Sequence, residues 1–329
     1  MNEDPLGFVE TPPALADWLA SEVLLTCPDP GDRILYPGAG RGNIAAAVHR
    51  RCSVRDLHCP DAVFVERDEG HLDDLRDRFV DEDATYNHGV PPVPEASRRW
   101  HRPYRGPTHE AAVDTSTSIH ARDFLRDPPA GLFEYVVANP PFTAYPNVDP
   151  DDREDYAERF ETACGQFGLY APFVEQMLDL LAPNGVLAVL LPVQWFTTRA
   201  ARALRSLVRR ESPCTSELVP EVAFPDHQVV TNVAVIGRAD ADWVGRLNPP
   251  WETRLGLTSM RGHYLRDLLD GLGVDEGDLE SVVSEYVDSF ELTRRLVANR
   301  DRRERQDLEP MDEAARRQRS LAAFQGDST

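Results

Sequence analysis

The chain contains no lysine: all 35 of its basic residues are arginine, set against 56 aspartates and glutamates, for a net charge of -21 over 329 residues. Bulk positive charge is therefore excluded as a way of holding a polyanion, and any such contact must be local and made by arginine. The acids run through the whole chain, which reads as a surface adapted to a salt-accumulating, halophilic cell, where molar salt screens charges within ~3 Å. The competing explanation is an acidic protein that never meets nucleic acid.

Cysteine is also scarce, and Cys27, Cys52, Cys59, Cys164 and Cys214 are odd in number without Cys-x-x-Cys spacing. That argues against a disulfide framework. With neither a signal-like leader nor a long apolar run, a reduced cytoplasmic protein is expected. His49, Cys52, His58 and Cys59 cluster in sequence, but their spacing matches no common zinc site, so no metal is expected.

Short apolar runs alternating with helical patterns predict an α/β fold. Arg33-Ile34-Leu35-Tyr36-Pro37-Gly38-Ala39-Gly40-Arg41-Gly42-Asn43 is a strand feeding a glycine-rich turn that opens a helix. Gly40 and Gly42 let the backbone approach a ligand, and the helix N-terminus offers free N–H groups. A second strand ends at Glu66, about 20 residues on, where such folds place an acid on a ribose. A third ends at Asp123-Phe124. The run 133–138 reads as a buried parallel strand, and Asn139-Pro140-Pro141-Phe142 follows it directly. Two prolines end the ladder, leaving Asn139 at a strand's carboxyl edge, where open α/β sheets bind ligands. An amide, a proline carbonyl and an aromatic face together suit holding a flat ring and accepting hydrogen bonds from its exocyclic amine.

In this order the glycine loop, Glu66, Asp123-Phe124 and Asn139-Pro140-Pro141-Phe142 resemble motifs I to IV of S-adenosylmethionine-dependent amino-methyltransferases, above all those acting on adenine N6 in DNA. Gly7-Phe8-Val9-Glu10-Thr11-Pro12, ahead of a predicted helix, resembles motif X. Its place before motif I is the gamma arrangement, as in type I modification subunits. The resemblance covers residues 5–237. It implies a Rossmann-like class I S-adenosylmethionine-dependent methyltransferase sheet with an antiparallel last strand, and S-adenosyl-L-methionine as cofactor. Phe8, Thr11 and Pro12 would close over the cofactor's methionine end, and Tyr36, Pro37, Gly38, Gly40 and Gly42 would line its loop. Glu66 would take the ribose, Asp123 the adenine amine, and Phe124 would pack on that ring. Asn139, Pro140 and Pro141 would serve catalysis. Phe142 would floor the target-base pocket, with Phe224 a further candidate against the flipped base. The implied partner is DNA, with a specificity or restriction subunit as a further one.

The family's usual acidic residue is replaced here by Tyr36, so its role toward the cofactor amine must be met otherwise or not at all. Asn-Pro-Pro-Phe also occurs in guanine-N2 ribosomal RNA methyltransferases, and Asn-Pro-Pro-Tyr in glutamine methyltransferases of release factors. Those families lack the element at 8–12. A non-catalytic cofactor-binding subunit is a further alternative. The domain expected is 1–238, with an inserted loop region at 81–118 whose middle, Pro91 to Pro107, is rich in proline and arginine and reads as a loop or lid. A small helical region at 239–329, a candidate contact for DNA or a partner, follows, with helices over 265–272, 279–297 and 312–324. Residues 145–159 read as a long polar loop, 170–181 as a helix, 186–191 as a strand, and 198–210 as a surface helix whose arginines include Arg205. Runs 219–224 and 229–236 read as the closing strands.

Overall fold

The computed structural model describes residues 9–24, 26–80, 116–211, 214–225, 229–237, 255–260 and 262–325. Phe8 and nearly all of the insertion expected at 81–118 lie outside them. Among the described residues one sheet contains eight strands: β1 (Arg33–Pro37), β2 (Asp61–Glu66), β3 (Thr117–Ala121), β4 (Phe133–Ala138), β5 (Leu181–Pro192), β6 (Cys214–Leu218), β7 (Thr231–Gly237) and β8 (Leu255–Thr258). Their order is β3-β2-β1-β4-β5-β7-β6-β8. The run β3-β2-β1-β4-β5 is parallel, and β7 enters antiparallel between β5 and β6. This is the class I methyltransferase sheet. Val63, Phe64 and Val65 in β2, and Leu187 to Leu191 in β5, are buried, as strands covered on both faces must be. From β1 the chain moves outward to β2 and β3, then returns to the other side of β1 at β4. The β1–β4 boundary is therefore a topological switch point, which opens a crevice at the strands' carboxyl ends.

The helices are α1 (Pro13–Val23), α2 (Asn43–Arg55), α3 (Glu69–Phe79), α4 (Pro150–Arg159), α5 (Tyr170–Asp179), α6 (Gln194–Thr197), α7 (Arg202–Glu211), α8 (Gly262–Gly271) and α9 (Leu279–Gln325). α1 packs on α2 and α8. A Cβ at Gly271 would come within 2.9 Å of the Ala14 methyl, so the α1–α8 approach depends on that glycine.

Several expectations are corrected. Residues 145–159 are no loop: a 3-10 turn at Tyr145–Asn147 leads into α4. Pro150 starts that helix, the Asp149 carboxylate accepts from the Asp151 N–H at 2.9 Å, and Asp151 and Asp152 lie in the first turn. A preset φ, a cap and acids at the positive end of the helix dipole overcome the polar composition. β5 begins at Leu181 rather than 186, because a register shift between Phe133 and Tyr135 on β4 absorbs Pro183-Asn184-Gly185. Within 219–224 the chain turns at Pro220 and forms a 3-10 turn, Glu221–Ala223, and the strand lies earlier, at β6. Arg205 is buried rather than superficial, its Nη1 donating to the carbonyls of Trp195 (2.7 Å) and Thr198 (2.8 Å).

No strand was expected beyond 239, yet β8 pairs with β6. The helices expected at 279–297 and 312–324 are one continuous α9. Two compact units comprise residues 1–286 and 287–329, so β8 and α8 belong to the first. Tyr286 ties its own region to that unit's sheet, accepting from the Met260 N–H (2.9 Å) and donating to the Leu218 carbonyl (3.3 Å). Among the described residues no helix is long and apolar enough to cross a membrane.

Candidate active site

A cleft opens at the switch point, lined by Gly38 after β1, Glu66 to Asp68 after β2, Asp123 and Phe124 after β3, and Asn139 to Pro141 after β4. Tyr156 of α4 and Phe173 of α5 close its sides. Its empty space, open mouth included, is about 700 Å³. A smaller hollow adjoins it between Thr11, Gly38, Asn43 and Asn139.

The glycine loop is fixed from β2. Gly38 and Ala39 donate their N–H groups to the Val65 carbonyl, and Gly40 donates to Glu66 Oε2 at 2.7 Å. Gly38, at φ +63, faces the cleft. Gly42 differs: a Cβ there would strike the Phe79 ring at 2.5 Å and Leu75 at 2.9 Å. Its φ of +82 also places it in the left-handed region as the N-cap of α2. Gly42 thus serves the packing of α2 on α3, whereas Gly38 permits close approach of a ligand.

Two carboxylates face the cleft in different states. Glu66 accepts from three backbone N–H groups, those of Gly40, Arg67 and Asp68. A carboxylate offers about four acceptor sites, so Glu66 retains roughly one beside the cleft. Asp123 is fully engaged. Its Oδ1 accepts from the Leu125 and Arg126 N–H groups (2.8 and 3.1 Å), and its Oδ2 meets Arg67 Nη1 (3.1 Å) and the Tyr156 hydroxyl (3.3 Å). Burial, with Asp123 and Asp152 adding to it, pushes the Tyr156 phenol well above its ordinary pKa, so it remains a donor. Phe124 is buried against Phe173, ring centroids 5.3 Å apart, giving the cleft an apolar wall.

Asn139 stands where β4 ends. Its Nδ2 donates to the Val9 carbonyl (2.9 Å) and to Thr11 Oγ1 (3.1 Å). No donor among the described residues reaches its Oδ1. Pro140 is buried and Phe142 half-buried beside it. A side-chain oxygen, a proline carbonyl, a hydroxyl acceptor, an approachable glycine and an apolar wall fit a cofactor with an amino-acid end, a sugar and an adenine. The set fits S-adenosylmethionine.

The sequence-predicted residues fall into three groups. Gly38, Glu66, Asp123, Phe124, Asn139, Pro140 and Pro141 line the main cleft, and Thr11 the adjoining hollow. Pro12 is the N-cap of α1, Pro37 ends β1, Gly40 and Gly42 shape the glycine loop, and Phe142 is half-buried after Pro141; neither of these glycines nor Phe142 lines either hollow. Tyr36 points into the core, 2 % exposed, stacked on Phe64 at 4.9 Å, and Phe224 is buried at the end of its 3-10 turn. The Tyr36 phenol lies near Cys52 and Cys59, and burial pushes its pKa up. In that same layer His49 Nδ1 meets Cys59 Sγ at 3.3 Å, and burial lowers the His49 pKa to about 4. Sequence reading missed Arg67, Asp68, His71, Tyr156, Leu169 and Phe173 as cleft residues. Asp68 had a legible signal, since an Asp two residues past a strand and just before a helical pattern is a natural cap, here accepting from the His71 N–H at 3.1 Å.

Comparison with known proteins agrees with this geometry. Residues 104–216 match the Eco57I restriction-modification methylase family. The type II methyltransferase M.XhoI of Xanthomonas vasicola is 35 % identical over 104 residues, 31 % of this chain and 19 % of that protein. M.PaeR7I of Pseudomonas aeruginosa, also a type II methyltransferase, is 34 % identical over 143 residues, 43 % of this chain and 25 % of that protein. The chain thus spans a quarter or less of the length of these curated relatives. A Listeria monocytogenes structure described as a class I S-adenosylmethionine-dependent methyltransferase superposes with a TM-score of 0.54 at 18 % identity, over 85 % of this chain and 71 % of that one. Over residues 104–216 the chain is thus similar to the Eco57I restriction-modification methylases, and its fold is that of class I S-adenosylmethionine-dependent methyltransferases.

Proposed function

We propose that this chain transfers a methyl group from S-adenosylmethionine to the exocyclic N6 of adenine in DNA. The observation that carries the reading is Asn139, whose amide nitrogen is committed to the N-terminal segment while its oxygen stays open beside the cleft. That oxygen and the Pro140 carbonyl accept two hydrogen bonds from the target amine. The amine's lone pair is otherwise delocalised into the ring, and the two bonds favour a pyramidal nitrogen with its lone pair free. The bound cofactor supplies an electrophilic methyl on a sulfonium. As the new nitrogen–carbon bond forms the carbon–sulfur bond would break, leaving a neutral thioether, and the cationic nitrogen would shed one proton to water, so orientation and electrostatics matter more than a strong base. A neutral amide here also avoids burying an unpaired anion.

Glu66 holds the glycine loop and keeps an acceptor for the ribose, Asp123 takes the cofactor's adenine amine, and Phe124 packs on its ring. DNA as substrate is supported by the match of residues 104–216 to the Eco57I restriction-modification methylases. The target base leaves its stack to reach a recessed edge, and stacking on Phe142 offsets ~1–3 kcal/mol of that cost. A specificity or restriction subunit is the protein partner in this reading. Its seat is the cytoplasm of a salt-accumulating cell, as the lysine-free composition supports.

Methylation-aware sequencing of DNA from a host expressing the chain tests this reading. It is expected to show N6-methyladenine at a defined motif. Unmodified DNA alongside newly methylated ribosomal RNA would overturn it in favour of an RNA base.

A further inference from the structure

The segment Val9-Glu10-Thr11 is gripped from two sides by asparagine amides. Asn139 Nδ2, at the end of β4, donates to the Val9 carbonyl and to Thr11 Oγ1. Asn43 Nδ2, at the start of α2, donates to Glu10 Oε1 (2.9 Å) and the Thr11 carbonyl (3.2 Å). Asn43 is itself oriented, its Oδ1 accepting from Arg78 Nη1 at 3.1 Å. Arg78 Nη1 also bonds the Arg41 carbonyl on the glycine loop.

An asparagine side chain is nearly symmetric in shape, and either its oxygen or its NH2 group can occupy the same space. The two ends do opposite chemistry. An amine must be met by the oxygen, and an NH2 in that place would set donor against donor. A backbone carbonyl cannot donate, so the atom of Asn139 that faces Val9 has to be the nitrogen. Thr11 Oγ1 takes the second N–H, and both nitrogen protons are then spent away from the cleft. Thr11 is 5 % exposed, so water does not compete freely for that bond.

We propose that Thr11 is a positioning residue for Asn139. Its hydroxyl and the Val9 carbonyl lock the amide in the one orientation that presents Oδ1 to the target amine. The inference rests on the function proposed above and adds a role for Thr11 separate from cofactor contact. Through Asn43 the same segment joins the cofactor loop to the catalytic edge.

Thr11→Val keeps the shape and removes the acceptor, and Thr11→Ser restores it. With saturating S-adenosylmethionine, single-turnover methylation of DNA should fall about tenfold in Thr11→Val and recover most of the loss in Thr11→Ser. Cofactor affinity measured by calorimetry should change less than the rate. A second readout needs no activity. The side-chain amide protons of Asn139, assigned by their absence in Asn139→Asp, should show one proton losing exchange protection in Thr11→Val and regaining it in Thr11→Ser. An unchanged amide signal, or a rate loss fully recovered by raising cofactor concentration, would overturn the positioning role. Wild-type protein that binds cofactor but methylates no adenine would instead overturn the function proposed above, leaving the amide measurement to decide on Thr11.

Discussion

The two ends of the cleft hold their polar groups in opposite states. At the Asn139 end the amide nitrogen is tied down, and among the described residues no donor reaches the oxygen. At the far end all of Asp123's acceptor capacity is taken, half of it by Arg67 and Tyr156 side chains. One end is preorganised for its partner, and the other must exchange a partner to accept one. Preorganisation belongs where charge shifts in the transition state, since nothing then has to reorganise during the reaction. Exchange is tolerable where a ligand only binds, because the Arg67–Asp123 pair is partly exposed and worth little in water.

The largest expected effect lies at the open end. Asn139→Ala should lower single-turnover methyl transfer by roughly 10³-fold or more, in the range of losing an electrostatic contact made in the transition state. Cofactor affinity should barely move. Asp123→Ala should do the reverse, weakening cofactor binding on the order of tenfold, as expected for a lost hydrogen bond to a charged group, with a smaller loss of rate at saturation. Binding isotherms and single-turnover rates for both variants check the pair, and matching patterns would break the comparison.

Salt separates the ends more gently. DNA must approach a protein carrying a net charge of -21, whereas the cofactor meets local groups. Raising potassium chloride from dilute buffer towards molar should therefore increase the DNA methylation rate roughly severalfold by screening repulsion, with cofactor affinity nearly flat. A monotonic fall in DNA binding and activity, with the fold shown intact by circular dichroism, would contradict this. For an ordinary basic DNA-binding protein such a fall is the rule.

The smallest effect concerns the layer beneath the glycine loop. His49 is buried, its folded pKa lowered to about 4 from an ordinary 6.5. Between those values the unfolded chain binds a proton that the folded one refuses, so stability falls as pH falls through the window. Its contribution is roughly 1–3 kcal/mol. Denaturant titrations of His49→Gln should show a shallower loss between pH 6.5 and 4, with cofactor binding at neutral pH little changed.

The cleft edge at Asn139 was legible because a short apolar strand followed by two prolines can end in few ways. Glu66 and Asp123 were legible for a similar reason: each ends a strand. The residues that complete the cleft were not. Phe173 reads as one more apolar position of a helix face, and only the packing of α5 on the sheet sets it against Phe124. Tyr156 was hidden because Asp149 to Arg159 is polar enough to pass for a loop, although its cap and proline were there to be read. Tyr36 occupies a motif position, but strand alternation turns its side chain into the core. β8 is four residues, Leu-Gly-Leu-Thr, too short for any periodicity, and only its pairing with β6 makes it a strand. Arg205 looked superficial by type, but backbone carbonyls left at the end of α6 give its guanidinium buried partners.

The most direct test of the central claim follows a labelled methyl group from cofactor to base. Purified protein is incubated with DNA and methyl-labelled S-adenosylmethionine, and the DNA is digested to nucleosides for mass spectrometry. Wild-type protein is predicted to place the label on N6-methyladenine alone, and Asn139→Ala to place none while still binding cofactor. Label on cytosine, or N6-methyladenine formed at the wild-type rate without the Asn139 side chain, would contradict the account.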